Sequence, residues 1–368
     1  MSHSLADGGK FLILGIPGPE VDSATRELIR TVRPSGFILF SRNLRSPEQF
    51  RALLDELRGL SPFPPFLAMD QEGGRVSRLR QIGNEPPSAR DLRERGDSSL
   101  IRRHGTLIGQ LFRLFGLNWN LAPVLDLGVD EEADNSLRNR CYGRSPDEVS
   151  RAASTFLEAM RAEGILSCGK HFPGYTFVRS DPHETLPSLD RTLLQLEAEE
   201  WKPFRELLPA CDSLMVGHVL CPSLDPSGAP SSLSPAVVEG ILRQKWGYSG
   251  VVVTDDLDMG AIAYHYSLPD AAELALRAGN DLLLVCHRPQ LARETAERLA
   301  RLPDSVLGPA ERRIETLRGR LAAPLPFSSE RFIDLDIQVA RLRVETLSPE
   351  RASEPTRDHA KRSPVETF

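Results

Sequence analysis

Polar residues stand directly behind short apolar runs at several places in this sequence. Asp70 follows Phe66–Met69, Lys170 and His171 follow the run 165–168, His218 follows Met215-Val216-Gly217, and Asp255-Asp256 follow the run 251–254. An acid, a cation and imidazoles gathered at one mouth would bind and process a polyhydroxylated substrate. A carboxylate held at the end of a rigid strand, such as Asp255, can serve as a nucleophile because its position is set before the substrate arrives. Either Asp255 or Asp256 could instead cap the next helix, so that each acid does one of the two jobs. A second cluster, Asp181-Pro182-His183, falls in the loop 172–189, and loops of that length are unusual in compact barrels unless they do something. A carboxylate two residues from an imidazole fixes the ring's orientation and stabilises its protonated form, which makes a general acid. Any one such residue is more often a cap or a surface group, and it is the coincidence over several strand ends that points to a site. His171, His183, His218 and Asp255 are also metal-ligand types, but the chain has no HxH or HExxH spacing to support a metal.

For these residues to meet, the runs that precede them must be neighbouring strands. Apolar stretches recur at 11–16, 37–40, 66–69, 121–127, 165–168, 214–216, 251–253 and 282–286, with helical stretches between them. Their near-continuous apolar character, rather than alternation, is that of strands buried on both faces of a parallel sheet. Ser46-Pro47-Glu48-Gln49 and Ser145-Pro146-Asp147-Glu148 each pair a capping serine with proline at the first helical position and an acid or amide three residues on; Ser234-Pro235 repeats the start. Eight β-then-α units favour a single closed (β/α)8 barrel of the α/β class over residues 1–348, with a doubly wound open sheet as the alternative. Catalytic groups of such barrels lie at the C-terminal ends of strands, where the polar residues above are found. From Pro349 the chain turns polar without an apolar period, so 349–368 reads as a disordered tail.

With 45 Lys and Arg against 51 Asp and Glu, the chain lacks the basic excess of a nucleic-acid-binding surface. Its 6% aromatic content offers no stacking platform for single strands either. No apolar run approaches the roughly 18 residues of a membrane span, and the first ten residues carry acid and glycine where a signal peptide would be basic and then apolar. The chain is therefore expected to be cytoplasmic, without a nucleic-acid or membrane partner, and to act as a monomer. Cys141, Cys168, Cys211, Cys221 and Cys286 are scattered and odd in number, which argues for small buried hydrophobes rather than disulfides or structural zinc.

Several long motifs, in order, resemble glycoside hydrolase family 3 in its single-domain bacterial β-N-acetylglucosaminidase branch. They are Gly36-Phe37-Ile38-Leu39-Phe40-Ser41-Arg42-Asn43, Asp70-Gln71-Glu72-Gly73-Gly74-Arg75-Val76, Asn120-Leu121-Ala122-Pro123-Val124-Leu125-Asp126, Lys170-His171-Phe172-Pro173-Gly174, Asp181-x-His183 and Val253-Thr254-Asp255-Asp256-Leu257. The resemblance implies a barrel hydrolase that removes terminal β-linked N-acetylglucosamine with retention, through a covalent glycosyl-enzyme. By motif position it assigns Asp255 as nucleophile and Asp181 with His183 as the acid/base dyad. Asp70, Arg78, Arg140, Lys170 and His171 fall at positions that contact the sugar in relatives. It implies no cofactor and no metal, a small carbohydrate as partner, and a muropeptide fragment of cytoplasmic cell-wall recycling as substrate.

Three departures accompany the match. Tyr175-Thr176 stands where relatives usually have His-Gly, which bears on loop closure. Pro182 replaces a usual serine inside the dyad and should stiffen it. Ser145 stands where relatives usually have aspartate, a change between two good caps. The competing readings are a β-glucosidase of the same family, many of which take their acid from a second domain, and a catalytically silent sugar-binding barrel.

Overall fold

Seven of the eight apolar runs become strands, each covered on both faces. The structure, a computed structural model, describes residues 5–130, 135–347 and 349–352. Eight parallel strands form a closed barrel in sequential order: β1 Leu12–Gly15, β2 Gly36–Leu39, β3 Phe66–Met69, β4 Trp119–Asn120, β5 Leu166–Phe172, β6 Ser213–Val216, β7 Val251–Asp256 and β8 Leu282–Val285. Burying one of their Val, Leu, Ile or Phe side chains contributes about 1.5–3 kcal/mol, and nearly all of these strand residues are buried. Helices alternate with the strands, among them Ser23–Val32, Pro47–Leu60, Ser98–Phe115, Pro146–Ala162 and Leu268–Ala278. The barrel is thus the α/β fold expected from the sequence.

The helix starts follow the predicted chemistry. Ser46 accepts from the Gln49 N–H and Ser145 from the Glu148 N–H, while the Glu148 carboxylate returns to the Ser145 N–H in a capping box. Ser234 accepts from the Val237 N–H at 3.2 Å. All five cysteines are buried, and none is in a disulfide among the described residues.

Two expectations need correction. The fourth strand is not 121–127 but the shorter Trp119–Asn120 before it, which pairs with Ala68 and Met69 on one side and with Leu166 and Ser167 on the other. Pro123 has no N–H to give to a ladder, so the apolar residues after Asn120 form a buried connection instead. The fifth and seventh strands run past their apolar runs to include Lys170, His171, Asp255 and Asp256. Both pairings shift register there: Gly169 and Phe172 of β5 face Leu214 and Val216 of β6, and Val253 and Asp256 of β7 face Leu282 and Leu284 of β8. An extra residue bends a strand and re-aims its side chains, and both shifts fall on residues bearing polar groups of the barrel mouth.

Beyond the barrel, Ser329–Thr346 packs on Ser98–Phe115. Phe327 and Phe332 meet Phe115 with ring centroids 5.9 and 5.5 Å apart, and Arg343 pairs with Glu85 at 2.7 Å. The polar segment read as a tail from Pro349 begins with a helical turn, Pro349–Ala352, tied down by Arg351 to Asp91 at 3.1 Å and by Arg343 to the Ala352 carbonyl at 3.2 Å. Residues 353–368 of that expectation lie outside the described residues. Among the described residues no helix is long and apolar enough to cross a membrane.

Candidate active site

One wall of the barrel mouth is a buried charge network. After β3 the chain makes a small hairpin, Gln71–Gly73 against Val76–Ser77, anchored by exchange of hydrogen bonds between Gln71 and Asn120 at 3.1 Å. The hairpin places Glu72 between two cations. Arg140 grips it bidentately at 2.8 Å on each oxygen, and Lys170 reaches it at 2.7 Å. Lys170 also holds Asp70 at 2.6 Å. Burial opposes the charge on Glu72, but Arg140 and Lys170 outweigh it and hold the carboxyl well below the usual range. Burial likewise opposes the Lys170 ammonium, and Asp70 with Glu72 reverses the effect and raises its pKa. Removing one partner of such a network leaves buried charge uncompensated, at a cost of about 3–5 kcal/mol. Glu72→Gln should therefore lose that much stability in denaturant unfolding, with a matching fall in melting temperature.

Beside this wall, Asp126 fixes His171 and the turn after it. Its Oδ2 accepts from the His171 N–H at 3.0 Å and meets Nδ1 at 2.8 Å, while Oδ1 accepts from the Tyr175 N–H at 2.6 Å. Burial lowers the pKa of the imidazole, against the pull of Asp126. A neutral ring giving its Nδ1 proton to Asp126 leaves Nε2 to accept from Arg140 Nη2, 3.3 Å away. The ring of Tyr175 stacks on His171 with centroids 4.7 Å apart.

Asp255 and Asp256 have opposite characters. Burial opposes ionisation of Asp255, but the imidazoles of His171, His218 and His183 and the Asp256 N–H together hold its carboxyl below the ordinary range. Asp256 is pushed well above that range by burial and then by the neighbouring Asp258 carboxylate. Its Oδ1 accepts from the Asp258 and Cys286 N–H groups at 3.0 and 3.1 Å. Asp256 therefore does the local structural work, and Asp255 is the ionised one. His218 has both ring nitrogens engaged inside the protein, Nε2 donating to the Asp256 carbonyl at 2.9 Å and Nδ1 facing Ser232 Oγ at 2.7 Å. Of the strand-end histidines, His218 is thus a buried brace.

The loop carrying Asp181 and His183 closes over this mouth. His183 Nδ1 lies 2.5 Å from Asp181 Oδ1, which also accepts the His183 N–H at 3.0 Å. Burial opposes the Asp181 charge, but the bond to His183 lowers its pKa nonetheless. Two backbone bonds dock the loop just past β7: Gly260 N–H to the His183 carbonyl at 3.1 Å and Ala261 N–H to the Pro182 carbonyl at 3.2 Å. A Cβ at Gly260 would stand 2.7 Å from the His183 carbonyl oxygen, so only glycine permits this approach. The far end of the loop is held by Leu189 and Leu220, whose N–H groups bond to the Leu220 and Pro187 carbonyls at 2.8 Å. Tyr175-Thr176 and Pro182 are thus compatible with a closed loop.

The result is a pocket of about 490 Å³ including its open mouth, lined by Asp70, Arg140, Lys170, His171, His183 and Asp255 among others. Asp181 stands behind His183. Arg78 is fully buried behind Asp70, 3.9 Å from its carboxylate and with its guanidinium 5.8 Å from the Phe40 ring centroid. Sequence reasoning gave Glu72 and Asp126 no role and took Tyr175 only as a departure bearing on loop closure. The signal for Glu72 was its spacing of two from Asp70, and for Asp126 its place at the end of the run 121–127. Among the described residues no three His, Cys, Asp or Glu side chains converge in a metal-holding arrangement.

The model of the glycosyl hydrolase family 3 N-terminal domain matches residues 9–317. A β-hexosaminidase of Idiomarina loihiensis is 34% identical over 280 residues, which cover 75% of this chain and 83% of that protein. The structure of a glycoside hydrolase family 3 β-N-acetylglucosaminidase from Paenibacillus sp. superposes with a TM-score of 0.85 at 30% identity, covering 93% of this chain and 69% of that one. NagZ from Neisseria gonorrhoeae in complex with N-trifluoroacetyl-D-glucosamine gives a TM-score of 0.78 at 28% identity, over 91% and 97% of the two chains.

Proposed function

The chain belongs to glycosyl hydrolase family 3, and on that premise we propose that it is a retaining exo-β-N-acetylglucosaminidase with Asp255 as nucleophile and His183, held by Asp181, as acid and base. The observation that carries this reading is one pocket in which an ionised carboxylate, Asp255, faces an imidazole locked to its own carboxylate. Asp70, Lys170, Arg140 and His171 bind the sugar through its hydroxyl and amide groups, with Arg78 holding Asp70 from behind. In the first step Asp255 bonds to the anomeric carbon as the glycosidic bond breaks, and His183 protonates the leaving oxygen. In the second, His183 takes a proton from water, which attacks the same carbon and releases Asp255. The natural substrate in this reading is N-acetylglucosaminyl-anhydro-N-acetylmuramic acid, with or without peptide, met in the cytoplasm by a monomer.

Purified protein with p-nitrophenyl β-glycosides of N-acetylglucosamine and of glucose tests the reading. Preferential cleavage of the N-acetylglucosaminide is expected. Preference for the glucoside would favour a β-glucosidase, and turnover of neither would favour a silent sugar-binding barrel. Proton transfer and a carboxylate nucleophile need no metal-bound water, so EDTA should leave the rate unchanged. A loss restored by zinc or manganese would contradict that.

A further inference from the structure

Tyr175 lies three residues past the end of β5, and its surroundings give it a defined task. It is buried, pinned at its N–H by Asp126 and stacked on His171. Its hydroxyl oxygen lies 2.8 Å from the His218 backbone N–H and 3.2 Å from Asp255 Oδ2. A backbone N–H only donates, so it occupies a lone pair of the phenol oxygen and leaves the phenol proton to point at the carboxylate. Burial, and then the Asp255 charge, raise the phenol pKa well above its ordinary value, so the hydroxyl keeps that proton. The arrangement needs a missing side chain next door. A Cβ at Gly217 would fall 2.3 Å from the Tyr175 oxygen and 2.5 Å from Cζ, so the ring fits only against glycine.

We propose that Tyr175 is a positioning residue for Asp255, that it favours release of the carboxylate from the glycosyl-enzyme, and that Gly217 is the residue that admits it. The proposal rests on Asp255 being the nucleophile. The phenol proton stays on Tyr175 throughout. When the Asp255–sugar ester forms, the carboxylate loses charge and the hydrogen bond from Tyr175 weakens. When water displaces the sugar from the ester, the charge returns to Asp255 and the bond strengthens, since bonds to ionised acceptors are the stronger ones. The interaction therefore lowers the second barrier relative to the first.

Tyr175→Phe keeps the ring and deletes only the hydroxyl. With p-nitrophenyl N-acetylglucosaminide, kcat should fall roughly 10-fold, while kcat/KM, which reports the first step, changes less than about 3-fold. KM then falls with kcat, and a burst of nitrophenolate appears. Gly217→Ala retains the hydroxyl but pushes the ring away, and should give the same split. A purely packing role predicts instead that kcat and kcat/KM fall together without a burst, or that neither moves, in both variants, and either result would overturn the proposal. Failure of the premise is separate: a trapped intermediate of the wild-type enzyme would then carry its label somewhere other than Asp255.

Discussion

Asp255→Ala should abolish turnover, lowering kcat by on the order of 10⁴-fold or more, while the melting temperature stays close to that of the unchanged protein. Among the described residues no other group in or beside the pocket combines a readily ionised carboxylate with a place on a barrel strand: Asp70 is tied to Lys170, Glu72 to Arg140 and Lys170, and burial beside Asp258 pushes the Asp256 carboxyl well above the ordinary range. Asp255 is half-buried at the mouth, and among the described residues its hydrogen-bonded neighbours are Tyr175 and the Asp256 N–H, so the fold should survive its truncation. Asp256→Ala should behave in the opposite way. It removes the acceptor of the Asp258 and Cys286 N–H groups, so it should cost stability first. Steady-state kinetics beside thermal unfolding separate the two. Activity retained by Asp255→Ala and lost by a stably folded Asp256→Ala would exchange the roles.

His183→Ala should lose about 10²- to 10⁴-fold on a disaccharide or muropeptide, the range that general acid catalysis supplies. A sugar is a poor leaving group and needs the proton, whereas nitrophenolate departs largely unaided. Loss in the first step should therefore be much smaller with the aryl substrate. Because the same imidazole activates water in the second step, the variant should also accumulate its covalent intermediate and show a burst. Asp181→Asn should resemble it in milder form, since the ring remains but loses its charged partner at 2.5 Å. Equal losses on good and poor leaving groups, without a burst, would reduce the loop docked on Gly260 and Ala261 to a substrate lid.

The barrel was legible because its strands are covered on both faces and so read as unbroken apolar runs, and because Ser46 and Ser145 mark helix starts with their own side chains. The exceptions share a cause. At Lys170-His171 and Asp255-Asp256 the strands continue through polar residues, since the barrel mouth is filled by the charge network and the site rather than by packed hydrocarbon, and the apolar signal stops while the pairing does not. At 121–127 the reverse holds: an apolar run with Pro123 inside it is buried without forming a regular ladder. Among the candidate site residues, those at strand ends and the Asp181–His183 pair could be read from type and position. Glu72 and Tyr175 could not, because what makes them matter is a partner far along the chain, Lys170 and Arg140 for one and Asp255 for the other. Between Asp255 and Asp256 the motif resemblance already favoured Asp255, and the structure adds the burial of Asp256 beside Asp258, which pushes its carboxyl well above the ordinary range.

The most direct measurement is mass spectrometry of the enzyme trapped with a slow 5-fluoro N-acetylglucosaminyl substrate. The covalent intermediate predicts one added sugar on the tryptic peptide 246–277, with fragmentation placing it on Asp255 rather than Asp256. An enzyme that turns over N-acetylglucosaminides yet carries no label, or carries it on any other residue, would contradict the account.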